Sequence, residues 1–440
     1  MLQNRCDILE PPLLEETPSN IIRLKMEVVF MKNVLTMVLS VVIALLIVVF
    51  TDISVGEAAT LQGNFKKLAN QMYEVTYDDY QTDFDMKKLV DKGYSNVTFL
   101  GGCSAAKKGQ FLGRNLDFIA GDAAEIVVKT TNKNGRYATI GMFGGMLWLN
   151  SEMMDAGLKD VDVIEFIPHF IVDGMNEKGV AVEFNVVNVR DTGGSFTTHT
   201  NPGKKEVSQY FVPRYLLDRA ASADEAIEIM KNIDVVSPNP DIGGIKASKY
   251  ELHYLICDKD KSYVVEFDNS KPEGEKMIVM EGENISTNYY LHLSDYEKGI
   301  YPDYSEGIER YRKLKDNLSS VNSVETMKKL MQSVKYTNVN RLDGEYAPGK
   351  NFDNPYTGFS DHFSAEDNPI NYSNYRKHFP ELMESMKRTE ALLKKILKDP
   401  KLENPNHFWV TSHNTVYDLK NKTMTVAIYE RFDKYYDYSL

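Results

Sequence analysis

The stretch from Gly101 to Phe118, GGCSAAKKGQFLGRNLDF, constrains the chain more than any other. Cys103-Ser104-Ala105-Ala106 reads as a short strand, Lys107-Lys108-Gly109 as a turn, and Gln110 to Arg114 as the return strand. A hairpin brings the end of its second strand back beside the start of its first. Arg114 and Asp117 therefore fall next to Cys103 in space. Thiolate is the reactive form of cysteine, and a neighbouring cation lowers the thiol pKa. If the peptide bond before Cys103 is cut, the residue's own α-amine becomes available as a base. Such an amine titrates near ~8, where it can take and return a proton without a histidine. Asp117 can orient that amine, and the nucleophile also needs fixed N–H donors for an oxyanion.

The chain has three cysteines, Cys6, Cys103 and Cys257, too few for a disulfide framework. Cys257 ends the apolar run Leu252 to Cys257 with no cation beside it in sequence, and reads as core. A length of 440 residues allows a large core in one α+β domain or in two smaller ones. The net charge of −12 argues against nucleic acid as a partner, because phosphate binding needs clustered Lys and Arg. Zinc-ligand spacing, a P-loop and a dinucleotide fingerprint are all missing from the sequence, so no metal or cofactor is expected.

Val34 to Phe50 is an uncharged run of seventeen residues preceded by Lys32 and followed by Gly56-Glu57-Ala58. Residues 31–58 thus read as a signal peptide cleaved after about Ala58, with an uncleaved membrane anchor as the alternative. Residues 1–30 fit no part of such a signal. Lys25-Met26-Glu27-Val28 can be encoded by a ribosome-binding sequence, so translation is expected to begin at Met31. Residues 59–102 are then a prosegment, polar, acidic at Tyr77-Asp78-Asp79-Tyr80, and helical in pattern around Phe65 to Tyr73. The expected location is secreted or anchored at the cell envelope.

A cysteine followed by a short hairpin and GRNLD resembles the choloylglycine hydrolase family of N-terminal-nucleophile amidases, which includes conjugated bile acid hydrolases and penicillin V acylases. The resemblance continues in Asp173-Gly174-Met175-Asn176-Glu177-Lys178-Gly179-Val180, which opens a strand over Val180 to Val187 carrying Asn185, with Asn188 next. It continues again in Ile285-Ser286-Thr287-Asn288-Tyr289 and in Glu309-Arg310-Tyr311-Arg312. Two helices, Gln209 to Arg219 and one starting at the capping box Ser222-Ala223-Asp224-Glu225, are similar to the family's helical pair.

This resemblance implies a nucleophile at Cys103, with Arg114, Asp117 and Arg310 (or Arg312) orienting and tuning it. It implies oxyanion donors at Asn185 and Asn288. It implies self-cleavage by attack of Cys103 on the Gly102 carbonyl, and a homo-oligomer such as a tetramer. The implied substrate is a small acyl amide, for example a conjugated bile acid or penicillin V, with acyl homoserine lactones and small peptides as other amides open to the same chemistry.

The order strands, helices, strands, helices, strands suits an α+β fold: two antiparallel sheets packed together with helices outside, the αββα sandwich that the family has. The hairpin pairs expected are Leu252–Asp258 with Tyr263–Asp268 and Trp409–Leu419 with Thr423–Tyr429, with a further strand at Lys276–Met280. Residues 348–374 read as a long surface loop and 375–398 as an amphipathic helix. Two readings compete with the amidase. One is a papain-like protease pairing Cys103 with one of the eight histidines, from His169 to His413. The other is an unprocessed, inactive binding protein on the same scaffold.

Overall fold

The computed structural model describes residues 65–81, 83–92, 103–119, 123–145, 149–188, 200–236, 250–295, 298–299, 307–335, 409–428 and 432–440. All belong to the unit Leu61–Leu440. The early start, the signal or anchor, Cys6, Gly101-Gly102, the 348–374 loop and the 375–398 helix lie outside the described residues.

In chain order the strands are β1 (Lys66–Ala69), β2 (Met72–Tyr77), β3 (Cys103–Lys108), β4 (Phe111–Ile119), β5 (Glu125–Thr130) and β6 (Thr139–Phe143). Then come β7 (Asp173–Asn176), β8 (Ala181–Asn188), β9 (Lys205–Ser208), β10 (Ile233–Val236), β11 (Tyr250–Cys257) and β12 (Ser262–Phe267). The last are β13 (Met277–Glu281), β14 (Ile285–Ser286), β15 (Trp409–Asp418), β16 (Thr423–Ile428) and β17 (Tyr436–Ser439). Nine form one sheet in the order β1-β2-β5-β6-β7-β8-β11-β12-β13, and six form a second, β14-β3-β4-β15-β16-β17. β9 and β10 make a separate parallel pair.

The helices that cover these sheets are short. α1 (Lys87–Asp91), α2 (Ser151–Asp155) and α3 (Val161–Phe166) precede β7. α4 (Val212–Leu217) and α5 (Ala223–Lys231) lie on the nine-stranded sheet against β7, β8 and β11. α6 (Ile308–Asn317) and α7 (Val324–Gln332) lie on the six-stranded sheet against β3, β4, β14 and β15. β3 meets β8 across the middle. The layers are therefore helix, sheet, sheet, helix, as expected. Strands covered on both faces read as near-continuous apolar runs. β6 (TIGMF) and β12 (SYVVEF) are buried at every position.

Three details depart from expectation. The Phe65–Tyr73 region, helical in pattern, forms β1 and the start of β2. Its decisive signal is the period of two in Tyr73, Val75 and Tyr77, all buried, with Glu74 and Thr76 between them half-buried. β2 pairs with β5 in parallel, in a sheet otherwise antiparallel. Parallel neighbours need a long crossover, and here that crossover contains β3 and β4 of the other sheet. Finally, Ser222 caps α5 by accepting from the Glu225 N–H, but Glu225 reaches back to the Ala221 N–H instead of that of Ser222.

Candidate active site

The hairpin forms as the sequence suggests, with longer strands. Gly109 makes the turn at φ +56, and Cys103 pairs with Leu116 and Ala105 with Arg114. On its other edge β3 pairs with β14 through Ile285↔Ala106 and Ser286↔Ala105. Continuing that antiparallel register by two residues sets Asn288 opposite Cys103. The short β14 thus leads a distant asparagine to Cys103.

Each polar part of Cys103 has a distinct partner. Its backbone N–H donates to Asn288 Oδ1 at 2.7 Å. Arg114 Nη2 stands 3.6 Å from Sγ. Arg310 Nη1 donates to the Cys103 carbonyl, and Arg310 Nη2 donates to Asn288 Oδ1 at 2.6 Å. Two donors on Oδ1 fix the orientation of the Asn288 amide, whose Nδ2 donates to the Val186 carbonyl at 2.9 Å. Asp117 is tied in through Arg310, with Nη1 3.3 Å from Oδ2, and through the Thr411 hydroxyl, which donates to Oδ1 at 2.5 Å. Cys103, Arg114, Asn288 and Arg310 are thus in direct contact, and Asp117 joins them through Arg310.

Asn185 lies one step further back. Its Nδ2 donates to Ser286 Oγ at 2.6 Å, and its side chain makes no bond to Cys103. It is connected to the site through the strand that carries Asn288.

Burial pushes the Cys103 thiol above its ordinary value, even though Arg114 and Arg310 pull it down, because Asp117 and Glu183 add to the rise. The sequence suggested a cation-activated thiolate. In the folded chain Cys103 is 2 % exposed, and desolvation of the charged form outweighs the two arginines. Desolvation thus favours the thiol of Cys103 over its thiolate. No described histidine bonds it. His253 and His413 face carboxylates and backbone, His292 bonds Glu266, and His169 sits among Tyr80, Phe84 and Phe211. Cys257 is fully buried, with its thiol pushed up to about 12 by burial, and behaves as the core residue expected.

Behind Arg114 lies a buried charged layer that sequence reasoning missed. Arg114 Nε is 3.4 Å from Asp173 Oδ2 and 3.9 Å from Glu183 Oε2, and Nη2 donates to the Phe184 carbonyl at 3.1 Å. Asp173 accepts from Thr415 Oγ1 at 2.8 Å and from the Tyr417 hydroxyl. His413 bridges Glu125 and Asp173, at 2.7 Å from each ring nitrogen. Burial disfavours its charged form, but the two carboxylates outweigh that and raise its pKa. The signal was present: Asp173 opens the DGMNEKG segment, and Glu183 interrupts an apolar strand. The rest of that segment builds the β7–β8 turn. Gly179 sits at φ +84 with room for no side chain, since an added Cβ would stand 2.4 Å from the Leu419 carbonyl oxygen. Asn176 anchors the turn to the carbonyls of Leu217 and Ala220.

Sequence comparison decides the family. Residues 104–348, more than half of the chain and beginning one residue after Cys103, match the acyl-coenzyme A:6-aminopenicillanic acid acyl-transferase family. The chain belongs to that family. It is an enzyme of an acyl-transferase family, in line with the acyl-amide chemistry that the resemblance of its motifs implies. Among solved structures it is similar to a mutant of conjugated bile acid hydrolase from Clostridium perfringens, at 16 % identity, covering 77 % of this chain and 92 % of that one with a TM-score of 0.35. It is also similar to penicillin V acylase from Agrobacterium tumefaciens, at 14 % identity, covering 74 % and 82 % with a TM-score of 0.33. No curated protein matches the chain. Among the described residues there is no group of side chains suited to a metal ion and no helix long and apolar enough to cross a membrane.

Proposed function

We propose that the enzyme is an exported cysteine amidase whose nucleophile is Cys103, made N-terminal by cleavage after Gly102. The observation that carries this reading is the triple hold on Cys103: Asn288 at its N–H, Arg114 at its sulfur and Arg310 at its carbonyl, with no described histidine on the thiol. Once Gly102 is released, the nitrogen beside Asn288 is an α-amine. It takes the Sγ proton, and the sulfur attacks the carbonyl carbon of a linear acyl amide. Negative charge builds on the carbonyl oxygen, where the Asn288 Nδ2 hydrogen not given to the Val186 carbonyl supplies a neutral, rigid donor, with Asn185 behind it. The C–N bond breaks as the ammonium returns its proton to the leaving amine. Water, deprotonated by the same amine, then hydrolyses the thioester and frees the acid and the thiol. Arg114 steadies the sulfur, and Arg310 and Asp117 hold the strand end that presents the amine.

The substrates that fit this reading are small acyl amides of the penicillin V and conjugated bile acid type. The uncharged run Val34–Phe50 supports export or anchoring at the cell envelope. The test is hydrolysis of penicillin V and glycine-conjugated bile acids by the processed wild type beside Cys103→Ala. Turnover by the wild type and none by the variant is the expected result. Equal turnover by both removes Cys103 as the nucleophile, and no turnover by a processed wild type across such amides removes the amidase and favours a binding protein.

A further inference from the structure

The register that sets Asn288 opposite Cys103 has only two ladder pairs behind it. Asn288 lies two residues past the last pair, so its side-chain bonds to Cys103, Arg310 and Val186 need a backbone held in place from outside the ladder. A buried pair on the nine-stranded sheet is aimed at this segment. Glu266, fully buried on β12, accepts through Oε1 from His253 Nδ1 at 3.0 Å and from the Leu291 N–H at 2.8 Å. Its Oε2 accepts from His292 Nδ1 at 2.6 Å and from the His292 N–H at 3.1 Å. His253, fully buried on β11, donates from Nε2 to the Thr287 carbonyl at 2.6 Å, with Ser286 Oγ at 3.2 Å. The ring thus bridges the Glu266 carboxylate to the Thr287 carbonyl. Burial pushes the Glu266 carboxyl up, but the His253 and His292 donors outweigh it and hold it down at about 2.

A carboxylate and an imidazole are costly in a core unless fully bonded. Here both atoms of Glu266 and Nε2 of His253 bond the segment from Thr287 to His292 or its histidine partner. On the far side of Thr287, its hydroxyl donates to the Gly307 carbonyl at 3.1 Å. Gly307 sits at φ +80, and an added Cβ would stand 2.8 Å from Arg310 Nη2 and 3.1 Å from the Asn288 N. Thr287 is therefore gripped from both sides, one residue before Asn288.

We propose that His253, held by Glu266, is a positioning residue that fixes Thr287 and thereby sets the Asn288 amide against the nitrogen of Cys103. This rests on the reading of Asn288 as the group that meets the amine and the oxyanion. It adds a histidine that matters to the reaction without touching the reacting atoms, whereas the N-terminal-nucleophile chemistry by itself calls for none.

The test compares His253→Ala, His253→Gln and Glu266→Gln in the full chain. Two readouts are taken: hydrogen exchange of the backbone over 285–290, and kcat and KM on an amide that the wild type hydrolyses. His253→Ala is expected to speed exchange at Thr287 and Asn288 and to lower kcat by about 10- to 100-fold, the cost of a small misplacement, with KM unchanged. His253→Gln keeps a donor for the Thr287 carbonyl and restores most of kcat, and Glu266→Gln falls between. Unchanged exchange in a folded His253→Ala protein, or a loss of kcat equal in the Ala and Gln variants, overturns the proposal. If His253→Ala does not fold, the near-isosteric Glu266→Gln decides: unchanged exchange and kcat overturn it. If the wild type hydrolyses no amide, the functional reading fails, and the exchange result decides the positioning role by itself.

Discussion

At Cys103 two forces oppose each other. Burial favours the neutral thiol, and Arg114 at 3.6 Å favours the thiolate. Burial wins, so in the proposed reaction Arg114 acts on a charge that forms only as the sulfur attacks. Arg114→Lys keeps the positive charge but cannot serve Sγ, the Phe184 carbonyl and Asp173 together, as the planar guanidinium does. Losing one hydrogen bond to a charged group costs about 1.5–3 kcal/mol. The expected outcome is a fall in kcat/KM of roughly 10- to 100-fold, with the pH dependence of Cys103 alkylation moved upward. Equal rates and an unmoved profile would place Arg114 in packing alone. The sequence made this pairing legible because a short hairpin fixes which residues meet. It did not reveal the direction of the thiol pKa, because burial depends on the second sheet and its helices. Asn185 shows the same limit: its strand was visible, but its bond to Ser286 depends on how β8 faces β14.

At the level of the strands, the face between the sheets is polar at β4, β7, β8, β11, β12 and β15. Both faces of these strands are covered, so alternation of burial does not mark which residues point inward. Which of them pair is set by three-dimensional register, so the network around Asp173, Glu183 and His413 could not be read from spacing. Two members of this polar interior carry a measurable consequence. Glu183 on β8 has no hydrogen-bond partner for Oε2 among the described residues, and burial pushes its carboxyl up to about 8 against the pull of Arg114. Glu251 on the neighbouring β11 accepts from the Tyr290 hydroxyl and from Asn269, yet burial also pushes it up to about 8. A carboxyl raised in the folded state binds its proton more tightly there than in the unfolded chain. Its contribution to stability is complete below the ordinary value of 4.5 and is lost as pH rises through about 8. Thermal unfolding is thus expected to shift to lower temperature between about pH 4.5 and 8 in a part that Glu183→Gln and Glu251→Gln each flatten, by roughly 2–4 kcal/mol at the alkaline end. Variants that follow the wild-type pH curve unchanged would show that neither carboxyl is held protonated.

For the whole molecule, the layered architecture followed from element order, and the motifs placed along it the residues that the fold brings together around Cys103. The stretch ahead of Cys103 was the harder part. Its polar composition suggested a removable prosegment, whereas β2 sits inside the nine-stranded sheet, hydrogen-bonded to β5 from Met72 to Tyr77, and Tyr77 donates to the Ile164 carbonyl at 2.7 Å. A cut before Cys103 therefore leaves the earlier piece bound as a structural strand, so the two pieces should travel together in native size-exclusion chromatography and separate only in denaturant. The most direct measurement is intact mass with N-terminal sequencing of the denatured protein, for the wild type and Cys103→Ala. Two wild-type chains are expected, one beginning at Cys103, and a single uncut chain for the variant. A wild type in which Cys103 remains in the middle of the chain would contradict it, since the nucleophile would then have no amine to act as its base.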